Sequence, residues 1–198
     1  MYRRRPAGCR ERVSRSLKFQ DGWRDANRTA GETPALQIMF RIGFGNDIHR
    51  LEAGRPLVLG GVTIESELGA AGHSDADALT HAVTDALLGA LALGDIGSHF
   101  PDTDPRWQNA DSFVFLAGAV RMIKEHGYTV VNVDSVISLE KPKLRPYIEA
   151  MRGNLAKTLG IESDCVSVKA KTGEGLGEVG TGLAVKAAAV VLIARATS

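Results

Sequence analysis

Asp47 and His49 stand one residue apart in FRIGFGNDIH, a run of apolar and small residues that predicts a β-strand. Side chains two positions apart in a strand project from the same face, so a carboxylate and an imidazole would lie side by side. His81 offers a third group of the same kind. It falls among Leu79, Ala82, Val83, Ala86, Leu87 and Ala90, which recur at helical spacing, and on the helix wheel it lies about 200° from Leu79, off the apolar stripe. Asp77 and Asp85 flank it one turn away on either side. Two readings fit. A strand end and a solvated helix face would show the same residues with incidental Asp-His contacts worth a few tenths of a kcal/mol. Alternatively the three are metal ligands, and two histidines with one carboxylate leave a coordination position open, as a catalytic zinc requires.

Other groups could handle phosphate. His73 and Ser74 precede the His81 helix, where free N–H groups and the helix dipole favour an anion, although Ser74 also has the chemistry of a simple N-cap. Asp75 and Asp77 are expected to place negative charge in the first helical turn. The loop DIGSHFPDTD gathers Asp95, Asp102 and Asp104 among glycine and proline, and reads equally as a polar turn. Lys143 in EKPKLRP, and Lys169 and Lys171 in VKAKTGEGLG, could neutralise phosphates, with glycines around Glu174 allowing close backbone approach. The Gly-Lys-Ser/Thr order of a Walker A loop is absent. His99 and His126 read as structural or surface residues.

The elements that must position these groups follow from periodicity and turn signals. After the first strand, LVLGGVTI reads as two short β segments hinged at Gly60 and Gly61. A second helix is predicted with Asp111 as cap, Phe113, Leu116, Ala117, Val120 and Ile123 as its core face, and Gly127 as its stop. Tyr128 to Leu139 reads as a strand. Pro146 opens a third helix through Ile148, Met151 and Leu155 to Gly160. Val166 to Lys171 and Leu183 to Ala194 complete the strands, around a glycine-rich loop. Strands alternating with helices predict a single α/β domain, a sheet with helices packed on one face.

Composition bounds the function. The chain has 198 residues, 44% hydrophobic and 24% charged, with a net charge of +1. That net figure averages a basic stretch to Ala35, at +5, and a body at −4. The body offers no basic stripe for nucleic acid. The apolar run Ala187 to Ala194 falls short of the ~20 residues of a membrane-spanning helix, so no membrane partner is expected. Cys9 and Cys165 form no disulfide framework, in keeping with a cytoplasmic setting. Residues 1–38 show neither alternation nor a helical face and read as a disordered N-terminal extension, with a transit peptide, a nucleic-acid-binding arm, a linker or a start at Met39 as alternatives. The domain proper is residues 39–198.

Taken together, GFGNDIHR, GHSDADALTHAVTDALLGALALGDIGSHFPDTDP, the KPK segment and VKAKTGEGLG resemble the 2-C-methyl-D-erythritol 2,4-cyclodiphosphate synthases, in that family's order and spacing from about Met39 onward. The resemblance implies a phosphorus-oxygen lyase of non-mevalonate isoprenoid biosynthesis. It would convert 4-diphosphocytidyl-2-C-methyl-D-erythritol 2-phosphate to the 2,4-cyclodiphosphate and CMP, using zinc and a second divalent cation, Mg²⁺ or Mn²⁺. It also implies a homotrimer with sheets around a central cavity and each active site between neighbouring subunits. Asp47, His49 and His81 match zinc ligands, the first two also touching substrate, and Glu174 matches the ligand of the second cation. His73 and Thr172 match catalytic positions, with Ser74 beside the first. Asp95, Ile96 and Gly97, and Phe100, Pro101, Asp102, Thr103 and Asp104, match segments enclosing the erythritol and its phosphate. Leu139, Glu140, Lys141, Pro142, Lys143, Leu144 and Arg145, with Ala170, Lys171, Thr172 and Gly173, match the cytidine diphosphate pocket. The resemblance departs at Gly177, Glu178, Val179, Gly180 and Thr181, where many members carry GF-x-GRGEG, so the family's axial phosphate contact does not carry over. Rival readings of the same residues are a zinc-dependent phosphohydrolase and a metal-stabilised assembly module.

Overall fold

The computed structural model describes residues 39–196; the extension expected over 1–38 lies outside them. The first strand, β1 (Phe40–Ala53), is longer than predicted. Two short strands, β2 (Leu57–Leu59) and β3 (Val62–Ile64), form a hairpin whose two-residue turn is Gly60 and Gly61 at φ 58° and 68°. Both turn positions need φ > 0, which glycine adopts without strain. A further strand that the alternation did not reveal, β4 (Leu68–Ala70), pairs with the end of β1.

Helix α1 (Ala78–Ala90) follows. Its cap is Asp77 and not Ser74, a correction with a clear cause. The Asp77 carboxylate accepts the Thr80 N–H at 3.0 Å while also taking the hairpin N–H groups of Gly60 at 2.9 Å and Gly61 at 2.7 Å. One buried side chain therefore joins cap and hairpin, and the helix carries no acid within its first turn. The Ser74 hydroxyl is turned inward instead. The short helix α2 (Ile96–His99) leads through a polar segment to α3 (Ser112–Glu125), capped by Asp111 as expected. Its buried face includes Leu116, Val120 and Ile123, joined by Phe115 and Ala119, and Phe113 packs half-buried against the core, but Ala117 is exposed. The predicted stripe therefore departs at Ala117 alone.

Strand β5 (Tyr128–Ser138) precedes a 3₁₀ turn at Arg145–Tyr147 containing Pro146, so the proline sits before α4 (Ile148–Leu159) and not at its first position. Gly160 ends α4 at φ 71°. Strand β6 (Val166–Lys171) is separated from β7 (Ala184–Arg195) by the glycine-rich loop, which holds a one-turn helix α5 (Gly177–Gly180). The sheet order is β4-β1-β7-β5-β6, with β5 and β6 parallel and the other pairs antiparallel.

One face of this mixed sheet is covered. Val185, Ala187, Ala189, Val191 and Ile193 of β7 are buried with Leu79, Leu87, Leu88 and Leu116 in the core; burial of each leucine is worth about 2 kcal/mol. Gly43 and Gly45 of β1 meet α1 directly, for a Cβ at Gly43 would fall 1.7 Å from the Ala86 carbonyl oxygen and one at Gly45 would fall 2.2 Å from that of Ala82. The alternate residues Ile42, Phe44, Ile48 and Val190 are exposed on the other face.

The contact predicts opposite effects for two glycine-to-alanine changes. Gly43→Ala collides with helix backbone and should lower stability by at least about 3 kcal/mol. Gly89→Ala, on the exposed side of α1 with ordinary clearance, should raise it by about 0.5–1 kcal/mol. Urea unfolding midpoints of both variants check this.

Candidate active site

The face of β1 that turns toward α1 continues from the two glycines to Asp47 and His49. Because α1 lies against that strand, His81, one turn past the Asp77 cap, comes into reach of both. Asp47 Oδ2 lies 2.9 Å from His49 Nε2 and 2.9 Å from His81 Nδ1, and the two nitrogens are 3.2 Å apart. Ligand atoms around a tetrahedral zinc at 2.0–2.1 Å are separated by about 3.3 Å, so the three donors already stand near coordination spacing. The resulting triad of Asp47, His49 and His81 is a potential, half-buried metal-binding site with three protein donors, one fewer than a closed structural zinc site uses.

The surroundings tune these groups. Burial works to raise the Asp47 carboxyl, but hydrogen bonds and charge from His49 and His81 outweigh it and hold the group well below the usual carboxylate range. Burial works to lower His49, but its contact with Asp47 and the Ala71 carbonyl push it above the ordinary imidazole value. His49 Nδ1 donates to that carbonyl at 2.8 Å, which aims its Nε2 lone pair at the triad centre. Asp85, on the same side of α1 as His81, is raised by burial and accepts the Ile96 N–H at 2.8 Å. It thereby ties the Asp95 segment to the ligand-bearing helix.

The other predicted residues fall in three places. Beside the triad, His73 is exposed, whereas the Ser74 hydroxyl points inward, 3.2 Å from His81 Nε2. The Asp95 carboxylate accepts from the N–H and hydroxyl of Ser98, capping α2. Phe100 packs on Trp107 and Phe115 at ring separations of 5.4 Å and 5.0 Å, and Phe115 in turn faces His81. Pro101, Asp102 and Thr103 are exposed, and Asp104 pairs with Arg106.

The third place is a groove of about 500 Å³ beyond the ends of β5 and β6, lined by Leu139, Pro142, Lys143, Leu144 and Arg145 with Ala170, Lys171, Thr172 and Glu174. Three cations against one carboxylate suit a phosphorylated ligand, and the volume suits a nucleotide. The Thr172 hydroxyl donates to Glu174, and Glu140 accepts the Gly173 N–H at 3.0 Å. Glu140 therefore braces the loop and does not line the groove. Groove and triad are separate on the sheet: β5 and β6, whose ends carry the groove, lie two and three strands from β1, about 10–14 Å at ordinary strand spacing.

Sequence reasoning named Asp85 only as an incidental neighbour of His81, and it missed two further groups. Ser112 carries no motif of its own, and only the fold brings it to 2.8 Å from His81 Nε2. Gly43 and Gly45 were visible as a Gly-x-Gly alternation within the strand, a signal for close backbone approach.

Fold and site together define an α/β domain that presents a potential metal-binding triad and a separate cationic groove of about 500 Å³. The model of the YgbB family matches residues 40–194, and the chain belongs to that family. It is 60% identical over 153 residues to the 2-C-methyl-D-erythritol 2,4-cyclodiphosphate synthase of Laribacter hongkongensis, covering 77% of this chain and 94% of that one. Identity to the synthase of Synechococcus elongatus is 56% over 156 residues, covering 79% and 98%. A solved structure of a 2-C-methyl-D-erythritol-2,4-cyclodiphosphate synthase in its CDP-bound form is 47% identical, with a TM-score of 0.72 over 77% of this chain and 99% of that one.

His81 lies off the core stripe of α1, so His81→Ala should lose the metal and keep the fold. Zinc retained after gel filtration, by elemental analysis, should fall to background with the far-UV spectrum unchanged.

Proposed function

We propose that this chain, through residues 39–198, acts as a 2-C-methyl-D-erythritol 2,4-cyclodiphosphate synthase, converting 4-diphosphocytidyl-2-C-methyl-D-erythritol 2-phosphate to the 2,4-cyclodiphosphate and CMP. The observation that carries this reading is the triad of three potential metal ligands, in a chain 60% identical to a synthase of that name. In the reaction an oxygen of the 2-phosphate attacks the β-phosphorus of the cytidine diphosphate arm. The bond from that phosphorus to the bridging oxygen breaks, and CMP leaves with the electron pair. Nucleophile and electrophile belong to one molecule, so the protein's work is to fold the substrate in line and stabilise charge. No side-chain nucleophile is required.

Residue roles follow from position and chemistry. Lys143, Arg145 and Lys171 hold the cytidine diphosphate in the groove. Thr172 and Glu174 sit at its mouth, Thr172 donating to the diphosphate as charge develops. His73, exposed before α1, contacts the attacking phosphate, and the segments from Asp95 to Gly97 and Phe100 to Asp104 enclose the erythritol. Asp47, His49 and His81 would hold zinc and Glu174 a second divalent ion, Mg²⁺ or Mn²⁺, which when bound supply Lewis-acid polarisation of the diphosphate.

The assembly we propose is a homotrimer working in the cytoplasm, its sheets around a central cavity. Two features support it. The exposed sheet face carries Ile42, Phe44, Ile48 and Val190, an apolar surface that association would cover. Triad and groove, two to three strands apart in one chain, would meet if each site were built between neighbouring subunits.

The direct test is ³¹P NMR of the protein with substrate and Mg²⁺, before and after zinc is stripped by a chelator. Metal-dependent CMP and a cyclic diphosphate are expected; linear phosphates alone would indicate a hydrolase. Thr172→Ala should keep zinc and substrate binding and lose about 10²-fold in kcat, read by the same resonances. Phe44→Asp, on the exposed sheet face, should give a monomer in sedimentation that retains zinc and lacks turnover.

A further inference from the structure

His81 reaches the triad through Nδ1, and its other nitrogen points into a buried polar nest at the start of α3. There Nε2 lies 2.8 Å from Ser112 Oγ and 3.2 Å from Ser74 Oγ. Ser112 is fully buried. Behind it, the Asp75 carboxylate accepts the Ser112 backbone N–H on Oδ2 at 3.2 Å and the Ser112 hydroxyl on Oδ1.

Counting hydrogens in this nest decides what the outer nitrogen of the ring carries. A serine hydroxyl has one hydrogen, and Ser112 donates its own to Asp75 Oδ1. Ser112 therefore meets His81 with a lone pair, and Nε2 must carry the ring hydrogen. Ser74 is compatible, since its hydroxyl oxygen accepts the Ala76 N–H at 3.2 Å and its own hydrogen is free to turn toward Ser112. Nδ1 faces Asp47 and His49, and with a metal in the triad it is the nitrogen left to ligate.

We propose that Asp75 and Ser112 form an outer relay that holds His81 in the Nε2–H tautomer and in the orientation needed for ligation through Nδ1. Both are positioning residues that touch neither metal nor substrate. His49 obtains the same service from the Ala71 carbonyl on its own side of the site. Ser112 joins the N-terminus of α3 to the ligand on α1, and Asp75 lies between the exposed His73 and the Asp77 cap. The relay thus couples three segments around a single imidazole. It rests on the reading of Asp47, His49 and His81 as a metal site.

The test measures zinc affinity of the full chain by competition with a chromogenic chelator, alongside far-UV circular dichroism. Ser112→Ala and Asp75→Ala should each weaken zinc binding by about 10- to 100-fold with the fold retained. Ser112→Thr, which keeps the hydroxyl, should recover most of that loss. The ¹⁵N spectrum of histidine-labelled, zinc-loaded wild type should show a directly bonded hydrogen on His81 Nε2 and none on Nδ1. Zinc affinity unchanged in both alanine variants, while His81→Ala loses the metal, would overturn the relay and leave the triad standing. Zinc retained by His81→Ala would overturn the triad itself. Should Ser112→Ala fail to fold, Asp75→Ala and the wild-type spectrum decide, and a hydrogen on His81 Nδ1 contradicts the relay.

Discussion

The site depends on two missing side chains. At Gly43 and Gly45 any Cβ would lie within 2.2 Å of a carbonyl oxygen of α1, so only glycine lets the helix rest on the strand's backbone. Four residues on one face of β1 then divide the labour: Gly43 and Gly45 allow the approach, and Asp47 and His49 use it. Moving α1 outward by the width of a methyl group would carry His81 out of the 2.9 Å contact with Asp47. The catalytic spacing is thus set by backbone packing, which yields little, and not by flexible side chains.

A second tier of contacts fixes rotation once distance is set. Asp77 anchors the first turn of α1 to the Gly60–Gly61 hairpin through buried hydrogen bonds. Burial raises its carboxyl, which marks how much desolvation these bonds offset. Ala71 and Ser112 hold the outer nitrogens of His49 and His81, so both imidazoles are aimed before any ligand arrives. The opposite face of the same strand presents Ile42, Phe44 and Ile48. One strand therefore carries the candidate ligand residues on one side and an exposed apolar row on the other.

Much of this was legible because period-2 and period-3.6 arithmetic acts locally. Asp47 with His49 on one strand face, and His81 off the apolar stripe of a helix, follow from spacing alone. The Gly60–Gly61 turn, the Asp111 cap and the Gly160 stop were read from residue chemistry. Errors arose where two residues could satisfy the same backbone groups. Ser74 and Asp77 are both good caps, and the choice fell to Asp77 because the hairpin supplied two more donors to its carboxylate. Ala117 was misplaced because α3 has apolar residues on more than one side, and packing against α1 and α4 selects among them. The roles of Asp75, Asp85 and Ser112 were hidden for a different reason: each acts on a segment distant in sequence, which no local period records. The departure at Gly177–Thr181 corresponds to the short helix α5, with Leu176 and Leu183 exposed at its ends.

The central claim is that triad and groove, two to three strands apart in one chain, come together between chains. It is tested most directly by mixing two inactive variants, one lacking the triad through His81→Ala and the other lacking the groove threonine through Thr172→Ala, after dissociating and reassembling them. If each site joins the triad of one subunit to the groove of its neighbour, random assembly leaves about a quarter of the sites with both halves intact, and a corresponding fraction of the wild-type rate returns. A mixture no more active than its inactive components, with mixed oligomers shown to have formed, would contradict the account and place the whole site within a single chain.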